Sequence, residues 1–294
     1  MSEPLGLLNL NKPAGMTSHD VVNAVRRIAG VRQVGHTGTL DPLATGVLVL
    51  LVGAATRLAR YLAGADKTYV AVLRLGETTS TDDAEGEVLE RRPVAVTRAE
   101  IEAALPSFRG PLLQTPPMTS AVKVGGRPLY KLARKGQEIE RQPRPVVIHA
   151  LTLEAWEPPH LTLTVTCSAG TYIRSLAHDL GQAWGCGAHV VALTRTVVGS
   201  FRLEDSLTLE EVAALAAAGR LTEALLPPER ALMALPPVTL TPEMEVAARY
   251  GQSFDLPAAP AAPEVRAHDG QGRLVAVLIP TEEGRWRPTL VLPG

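Results

Sequence analysis

The pattern of hydrophobic and polar positions predicts alternating strands and helices along most of the chain. A continuous apolar run over 47–52 predicts a fully buried strand, and strict alternation over 67–75 predicts a strand buried on one face. An apolar stripe at helical spacing predicts a helix that Ser18 caps and that Gly30 ends. The same criteria predict further strands at 5–10, 120–124, 145–156, 160–167 and 189–196, and further helices at 55–62, 97–105, 128–136 and 208–219 and one ending at 184.

A proline-rich stretch separates a smaller C-terminal part from the rest. Two proline pairs lie within 226–238, which is typical of a linker. Beyond it the pattern predicts a short helix at 241–250 and short strands at 264–268, 274–279 and 287–292. The sequence therefore predicts a second, β-rich domain, and a length of 294 residues agrees with two domains.

Composition limits the class of protein without identifying its function. Hydrophobic residues make up 46% and charged residues 20%, as in ordinary globular proteins. No apolar run approaches the roughly 18 residues that cross a bilayer, and the first residues lack the pattern of a secretory signal. The two cysteines are too few for a disulfide framework, so we expect a cytoplasmic protein without a membrane partner.

One basic segment contrasts with a formal net charge of only −1. Between 123 and 144 two acids, Glu138 and Glu140, oppose seven basic residues, which are Lys123, Arg127, Lys131, Arg134, Lys135, Arg141 and Arg144. A segment of this kind can follow a phosphate backbone, and it can equally be the solvated face of a helix. Composition alone does not separate these two interpretations.

The candidate chemistry concentrates in the segment GHTGTLDPLATGVL at 35–48. Its glycines allow positive φ or the close approach of another chain, and Pro42 restricts both itself and Asp41. The segment therefore predicts a rigid loop that presents the Asp41 carboxylate at the edge of a buried strand. A turn or helix-capping aspartate fits the same spacing, since Asp-Pro commonly opens turns.

The whole segment closely resembles the aspartate motif of tRNA pseudouridine synthases of the TruB class. Members of that family convert the T-arm uridine at position 55 of tRNA into pseudouridine. The resemblance includes the spacing from His36 to Asp41, and it extends over about residues 5 to 200 through two further motifs, NKPAGMTSHD at 11–20 and CSAGTYIRSLAHDLG at 167–181. It implies that Asp41 is the catalytic residue.

The resemblance also assigns roles to other residues. Arg174 is expected to pair with the catalytic aspartate, and Tyr69 is the active-site tyrosine whose ring stacks on the target base. Stacking on an aromatic ring is worth about 1–3 kcal/mol per base, which helps to hold an extruded uracil. Four residues are expected to bind RNA or substrate: Lys12 as a phosphate or structural contact, His36 inserted where the uridine leaves, Tyr172 as the tyrosine of the third motif, and Leu193 lining the uracil pocket. The residue types alone are also compatible with solvated charges and a core tyrosine.

Two groups of residues have the composition of a metal site but lack its spacing. The acidic stretch from Asp82 to Gly86 departs from the calcium-loop pattern, and it resembles a structural turn of the same family. The second group has no Cys-x-x-Cys pair. It consists of Cys167, His178, Cys186 and His189. We therefore expect no metal, and no cofactor of another kind, because uridine and pseudouridine are isomers.

The resemblance implies an α+β fold class with two domains. A pseudouridine-synthase catalytic domain at 1–230 is built on a mixed, mainly antiparallel sheet flanked by helices, and a small PUA-like RNA-binding domain occupies 231–294. The basic segment belongs to an insertion at about 106–145 that grips the T-arm stem-loop. We expect a monomer that acts on tRNA without the guide RNA that some relatives need. The alternatives are a T-arm-binding tRNA-folding protein without turnover and a metal-dependent RNA hydrolase.

Overall fold

The computed structural model describes residues 4–120, 122–133, 135–137, 139–257 and 259–293. The strands are β1 Gly6–Lys12, β2 Val34–His36, β3 Thr45–Val52, β4 Lys67–Leu75, β5 Glu77–Thr79, β6 Val88–Arg91, β7 Gly110–Gln114, β8 Lys123–Val124, β9 Arg127–Pro128, β10 Arg144–Glu157, β11 His160–Cys167, β12 Ala188–Val198, β13 Phe201–Arg202, β14 Pro237–Thr239, β15 Val265–His268, β16 Leu274–Pro280 and β17 Trp286–Val291. The helices are α1 Ser18–Ala29, α2 Ala59–Ala63, α3 Arg98–Ala104, α4 Leu129–Ala133, α5 Ile173–Ala183, α6 Leu209–Ala217 and α7 Pro242–Arg249.

Nine of the described strands form one sheet across the larger part of the molecule. The strand order is β1-β3-β12-β4-β11-β10-β7, with β2 paired to β3 and β13 paired to β12. Neighbouring strands are antiparallel except for β3 and β12, which pair in parallel through Thr45 with Thr194 and Gly46 with Arg195. The predicted mixed, mainly antiparallel sheet is confirmed.

The two strands that flank β12 follow from the hydrophobic patterns that predict them. Strand β3 is buried from Gly46 to Val52, because apolar groups cover both of its faces. Along β4, buried and half-buried residues alternate from Lys67 to Leu75, so that Tyr69 points into the core. Both predictions are confirmed. The alternation along β4 also places Tyr69 in the apolar cluster that faces helix α5.

Helix α1 is capped by Thr17 and not by Ser18, so the predicted cap is wrong by one residue. The Thr17 hydroxyl accepts a hydrogen bond from the Asp20 amide (3.1 Å), and the Asp20 carboxylate accepts one from the Thr17 amide (2.9 Å). The Ser18 hydroxyl is instead bound to the backbone of Leu40. The helix ends as predicted at Gly30, where φ is 64°.

The core lies on both faces of the large sheet. One apolar cluster joins β4, β11 and β12 to helix α5, and it contains Tyr69 and Leu193. A second cluster packs α1 and α6 against alternate residues of β1 and β3, and a third covers their other face. Each large aliphatic side chain buried in this way stabilises the fold by about 1.5–3 kcal/mol.

The C-terminal part forms a small sheet of its own, as the pattern predicts. Its strand order is β14-β15-β16-β17, and helix α7 begins after the capping residue Thr241. Three of its apolar side chains, Val277, Leu290 and Leu292, lie in the same cluster as Leu7 of the large sheet. The predicted β-rich character is confirmed, whereas the PUA-like resemblance and the boundary at 230 stay predictions.

Candidate active site

The loop that carries Asp41 is held to the start of helix α1 by Ser18. The Ser18 hydroxyl accepts a hydrogen bond from the Leu40 amide (2.8 Å) and donates one to the Leu40 carbonyl (3.0 Å). Leu40 is itself buried in the apolar cluster of β4 and α5. The residue before Asp41 is therefore fixed by both its backbone and its side chain.

Two buried cations bind the carbonyls on either side of Asp41. Arg195 on β12 donates to the carbonyls of Gly38 (3.1 Å) and Thr39 (3.4 Å), and also to that of Val47. Lys12 at the end of β1 donates from Nζ to the carbonyls of Pro13 (2.8 Å), Met16 (2.6 Å) and Pro42 (3.2 Å). The predicted rigidity of the loop has this physical origin, because charged donors fix its backbone before and after the carboxylate.

The close approach expected at the glycines of this loop occurs at Gly46. Its φ is 100°, and a Cβ added there would lie 2.2 Å from the Arg195 carbonyl oxygen. Side chains other than hydrogen are therefore excluded by both the backbone conformation and the parallel pairing of β3 with β12. This pairing brings Arg195 under the Asp41 loop.

Asp41 and Arg174 form the ion pair that the resemblance implies. Nε of Arg174 lies 2.9 Å from Oδ2 of Asp41, and Nη2 lies 3.2 Å from Oδ1, so one edge of the guanidinium faces both carboxylate oxygens. The Asp41 side chain is 30% exposed, whereas the Arg174 side chain is 4% exposed. A ligand can therefore reach the acid while the arginine remains behind it.

Arg174 has this place because the start of α5 is fixed by strand β7 and the segment after it. The Gln114 side chain accepts a hydrogen bond from the Tyr172 amide (2.7 Å) and donates one to the Tyr172 carbonyl (2.9 Å). In the next turn, the Ser175 hydroxyl donates to the Thr115 carbonyl (2.8 Å). Tyr172 thus contributes its backbone to the start of α5, immediately before Arg174.

The remaining donors of Arg174 bind two segments that are distant in sequence. Nη1 donates to the Thr81 carbonyl (3.0 Å) and to the Thr119 hydroxyl, and it lies 3.5 Å from Oδ2 of Asp83. Nη2 also donates to the Thr119 carbonyl (3.1 Å). The guanidinium thus joins the Asp41 loop, the acidic turn between β5 and β6, and the segment after β7.

The electrostatic environment acts on Asp41 in opposite directions. Burial raises the pKa of the Asp41 carboxyl above its ordinary value, and the negative charge of Asp83 acts in the same direction. The Arg174 guanidinium opposes this increase by its charge and its hydrogen bonds. The result is a carboxyl with a raised pKa that has an ordered partner and remains accessible.

Beside Asp41, the two residues predicted to hold a uracil lie in one apolar cluster. Tyr69 and Leu193 are each 7% exposed and share this cluster with Leu40 and Ala44 of the Asp41 loop. Their strands are neighbours, with Leu193 opposite Ala71. Burial raises the pKa of the Tyr69 hydroxyl, so this phenol is neutral at physiological pH.

His36 lies at the end of β2, where the Asp41 loop begins. Burial is the main cause that lowers the pKa of its imidazole, and the Arg195 charge acts in the same direction. Among the described residues its Nδ1 has no hydrogen-bond partner. The ring is therefore neutral at physiological pH, and its buried Nδ1 keeps an unused hydrogen-bonding position.

The structure brings Asp41 and Arg174 together beside the apolar cluster that contains Tyr69 and Leu193. His36 lies where the Asp41 loop begins, and Lys12 binds the backbone of that loop from inside the protein. Because the Lys12 side chain is fully buried and its Nζ binds three carbonyls, the geometry favours the structural alternative over the phosphate contact.

Sequence reasoning missed three residues of this site. These residues are Asp83, Thr119 and Arg195. The sequence motif indicates only a structural role for the acidic turn, yet its Asp83 faces Arg174. Arg195 could have been found, since strand alternation places it on the same face as Leu193. Nothing local to Asp83 or Thr119 indicates the contact, which depends on the tertiary fold.

In the part of the chain that the structure describes, no group of three or more His, Cys, Asp or Glu residues is arranged to hold a metal ion. The four Cys and His residues considered above all lie in that part. No described helix is long and apolar enough to cross a membrane.

Two family models match consecutive segments of the chain. The first is described as the TruB family pseudouridylate synthase N-terminal domain and matches residues 26–173. The second is described as the tRNA pseudouridylate synthase B C-terminal domain and matches residues 174–233. Together these segments cover more than half of the 294 residues.

Relatives that are similar over nearly their full length carry one name. The tRNA pseudouridine synthase B of Stutzerimonas stutzeri is 49% identical over 286 residues, which are 96% of this chain and 94% of the relative. The protein of the same name from Pseudomonas aeruginosa is 46% identical with the same coverage.

Two solved structures share the fold over almost the whole chain. One is titled "Structure of H/ACA RNP bound to a substrate RNA containing 2'-deoxyuridine", with a TM-score of 0.76, 26% identity, and coverage of 99% of this chain and 86% of that one. The other is titled "Crystal Structure of a Cbf5-Nop10-Gar1 Complex", with a TM-score of 0.75, 28% identity, and coverage of 99% and 84%.

Proposed function

The chain belongs to the TruB family of pseudouridylate synthases, and we propose that it converts uridine into pseudouridine in tRNA with Asp41 as the reacting carboxylate. The observation that carries this proposal is the pairing of an accessible Asp41 with a buried Arg174 beside the apolar cluster that contains Tyr69 and Leu193. The family resemblance predicted from the sequence motifs is confirmed.

The reaction moves a base without adding or removing atoms from the substrate as a whole. The C1′–N1 bond of uridine breaks, the uracil turns, and a C1′–C5 bond forms. The hydrogen on C5 leaves and N1 gains one, so the product is an isomer of the substrate. The Asp41 carboxylate can attack C1′, attack C6 of the uracil, or remove a sugar proton. Each of these roles requires the ionised acid.

The described residues meet the physical requirements of this chemistry. The target base must leave its stack, which costs a few kcal/mol and is offset by new contacts in the protein. Tyr69 and Leu193 supply apolar surface on which a uracil can lie, and the neutral His36 ring can occupy the space it leaves. The same apolar surface excludes water, which would otherwise add to the sugar C1′ in place of C5 and turn the isomerisation into hydrolysis.

The Arg174 guanidinium keeps the carboxylate oriented and ionised. Two parallel hydrogen bonds fix both oxygens of Asp41 in one plane, which a point charge does not do. Since burial raises the pKa of Asp41, the arginine charge is the main group that opposes protonation. Arg174 is thus a positioning residue for the reacting acid.

We propose the T-arm uridine at position 55 as the target and the basic insertion as the grip. The segment between β7 and β10 leaves the edge of the large sheet, and Arg127, Lys131 and Lys135 are exposed on it. Arg144, at the start of β10, is exposed as well. Arg134 and Glu138 of the predicted basic segment lie outside the described residues. Exposed cations that follow one segment suit a phosphate backbone.

We further propose that this protein works alone and in the cytoplasm. The matched Cbf5 structure is titled as a complex with Nop10 and Gar1, whereas the bacterial relatives are named tRNA pseudouridine synthase B with no partner in the name. Both cysteines are free thiols in the structure, which fits a reducing compartment.

The function is tested with a T-arm stem-loop labelled with tritium at C5 of uridine. Formation of the C1′–C5 bond releases that hydrogen, so tritium should appear in water with the purified protein alone. A stem-loop whose target uridine is replaced by cytidine should release none. Binding without tritium release would favour the tRNA-folding alternative, and loss of activity in excess chelator would favour a metal-dependent reaction.

Substitution of Asp83 should shift the pH dependence of turnover. Because ionised Asp41 is required, the rate rises with pH through the pKa of Asp41, which Asp83 helps to raise. The Asp83→Asn variant removes this negative charge and should move the acidic limb of the rate profile to lower pH. Single-turnover rates across pH 4 to about 8 measure the shift. An exposed control, Glu87→Gln, should leave the limb in place, and an upward shift for Asp83→Asn would contradict this account.

Substitution of Lys12 should separate its structural role from RNA binding. The Lys12→Met variant leaves the Pro42 carbonyl without its charged donor and should destabilise the protein by about 1.5–3 kcal/mol. Its affinity for the stem-loop should not change, since Nζ faces the protein interior. The matched variant Lys131→Met, on the exposed face of α4, should show weaker binding and unchanged stability. Thermal unfolding and filter binding measure both, and weaker binding for Lys12→Met alone would support a phosphate contact.

A further inference from the structure

A second ion pair joins helix α5 to the acidic turn between β5 and β6, one helical turn beyond Arg174. Nδ1 of His178 lies 3.1 Å from Oδ1 of Asp82. Arg174 and His178 are four residues apart, so they lie on one face of the helix. Both side chains contact the same turn: Arg174 binds Thr81 and Asp83, and His178 binds the residue between them.

Asp82 has an unusual backbone conformation. Its φ is 59°, and it is the only described residue other than glycine with a positive φ. This conformation costs about 1–3 kcal/mol for most residues and persists when the surroundings enforce it. The Asp82 carbonyl accepts a hydrogen bond from the Val190 amide (3.0 Å), and the Asp82 amide donates one to the Thr79 carbonyl (3.3 Å). Together with His178, these bonds provide that enforcement.

The conformation of Asp82 determines what the turn presents to Arg174. Thr81 directs its carbonyl at Nη1 while its hydroxyl donates to the Asp83 carboxylate (2.5 Å). Asp83 in turn has its other oxygen 3.5 Å from Nη1. A change of φ at Asp82 would move both acceptors, because it lies between them. The bonds of Arg174 to Asp41 would then no longer be set by the turn.

Several charged groups surround the His178 ring. Asp82 faces it from the turn, Asp179 from its own helix, and Arg141 from the basic insertion. Glu90 and Arg92, from β6 and the residue after it, line the same cavity. The Asp82 hydrogen bond is the main cause that raises the pKa of His178, and the Arg141 charge opposes it.

We propose that His178 and Asp82 form a clamp that positions Arg174, and through it Asp41, for the reaction. This inference rests on the proposed function, because the reaction gives the ion pair its importance. His178 touches neither Asp41 nor the predicted uracil slot, so it acts as a positioning residue. The charged form of the imidazole makes the stronger bond to the Asp82 carboxylate. Turnover should therefore be higher when His178 is protonated.

The test compares His178→Ala, Asp82→Gly and the double variant in the full-length protein. Each single variant should lower kcat on the T-arm stem-loop about three- to tenfold with KM unchanged, since small misplacements of a catalytic group reduce the rate. The double variant should be no slower than the single ones, because both changes remove one interaction. Glycine adopts a positive φ without strain, so the Asp82→Gly variant keeps the backbone conformation and removes only the carboxylate. If Asp82 mattered only through its backbone conformation, this variant would keep the wild-type rate.

Two further readouts separate positioning from general stability. The wild-type rate should fall as pH increases through the raised pKa of His178, and this alkaline limb should be absent from His178→Ala. Amide hydrogen exchange over residues 79–84 should be faster in both single variants. The matched control is His149→Ala, which removes another His–Asp pair (3.3 Å to Asp66) and should leave the rate and this exchange unchanged.

The outcomes distinguish the clamp from the proposed function. If the wild-type protein releases no tritium, the proposed function fails, and faster exchange in the variants still supports the clamp. Wild-type kcat in both single variants at every pH would overturn the inference. Unchanged exchange over residues 79–84 would overturn it as well.

Discussion

The Asp41→Asn variant should bind the T-arm stem-loop with wild-type affinity and form no measurable pseudouridine. An amide is neither a nucleophile nor a base at neutral pH, so the loss should be on the order of 10⁴-fold or more. The fold should persist, because Arg174 keeps its bonds to Thr81 and Thr119 and its contact with Asp83. Tritium release, filter binding and thermal unfolding give the three quantities.

The same variant also distinguishes the competing functions. A tRNA-folding protein without turnover would lose nothing measurable on the Asp41→Asn change, since binding is its whole activity. Pseudouridine formed by this variant above the level without protein would refute the role of the carboxylate. Loss of binding together with turnover would show that the acid contributes to holding the RNA.

The Arg174→Lys variant should lose most of its activity, by about 10²-fold or more, although the positive charge remains. A lysine ammonium cannot face both oxygens of Asp41 and also reach the Thr81 and Thr119 carbonyls. The unbound acceptors and the less ordered carboxylate should also lower the free energy of unfolding by about 3 kcal/mol. Single-turnover rates and denaturant unfolding measure these effects.

A matched arginine elsewhere on the chain provides the control. Arg220 faces the Glu223 carboxylate through Nε and Nη2, both at 2.7 Å, in an exposed pair. The Arg220→Lys variant should keep its activity and its stability, because exposed ion pairs contribute little. If Arg174→Lys were as active as Arg220→Lys, the requirement for a planar partner of Asp41 would be wrong.

The sequence predicts correctly those features that depend on residues close together along the chain. The alternation over 67–75 follows from one buried face, so it gave both the strand and the inward direction of Tyr69. The proline and glycines around Asp41 indicated a rigid loop, and the family motif identified Arg174 as its partner. What fixes that loop was not visible, because a fully buried lysine such as Lys12 is rare and carries no local signal.

The remaining parts of the site depend on contacts between distant segments. Asp83 and Thr119 contact Arg174 from segments that many residues separate from it along the chain. The cap of α1 differs from the prediction for the same reason. The Ser18 hydroxyl binds the backbone of Leu40, which lies in a loop further along the chain, and Thr17 caps the helix instead. Spacing within one element cannot show such partners. Alternation along β12 shows only that Arg195 and Leu193 share a face, whereas the pairing of Arg195 with Tyr69 depends on how the two strands meet.

The apolar cluster that β16 and β17 share with the large sheet should make the two parts of the molecule unfold together. Val277, Leu290 and Leu292 close over side chains of the first and third strands, and the Arg57 guanidinium donates to the Val291 carbonyl (2.6 Å). Heating should therefore melt the two parts in a single calorimetric transition, despite the prolines between them. A protein truncated after residue 230 would expose a hydrophobic surface and should aggregate on expression.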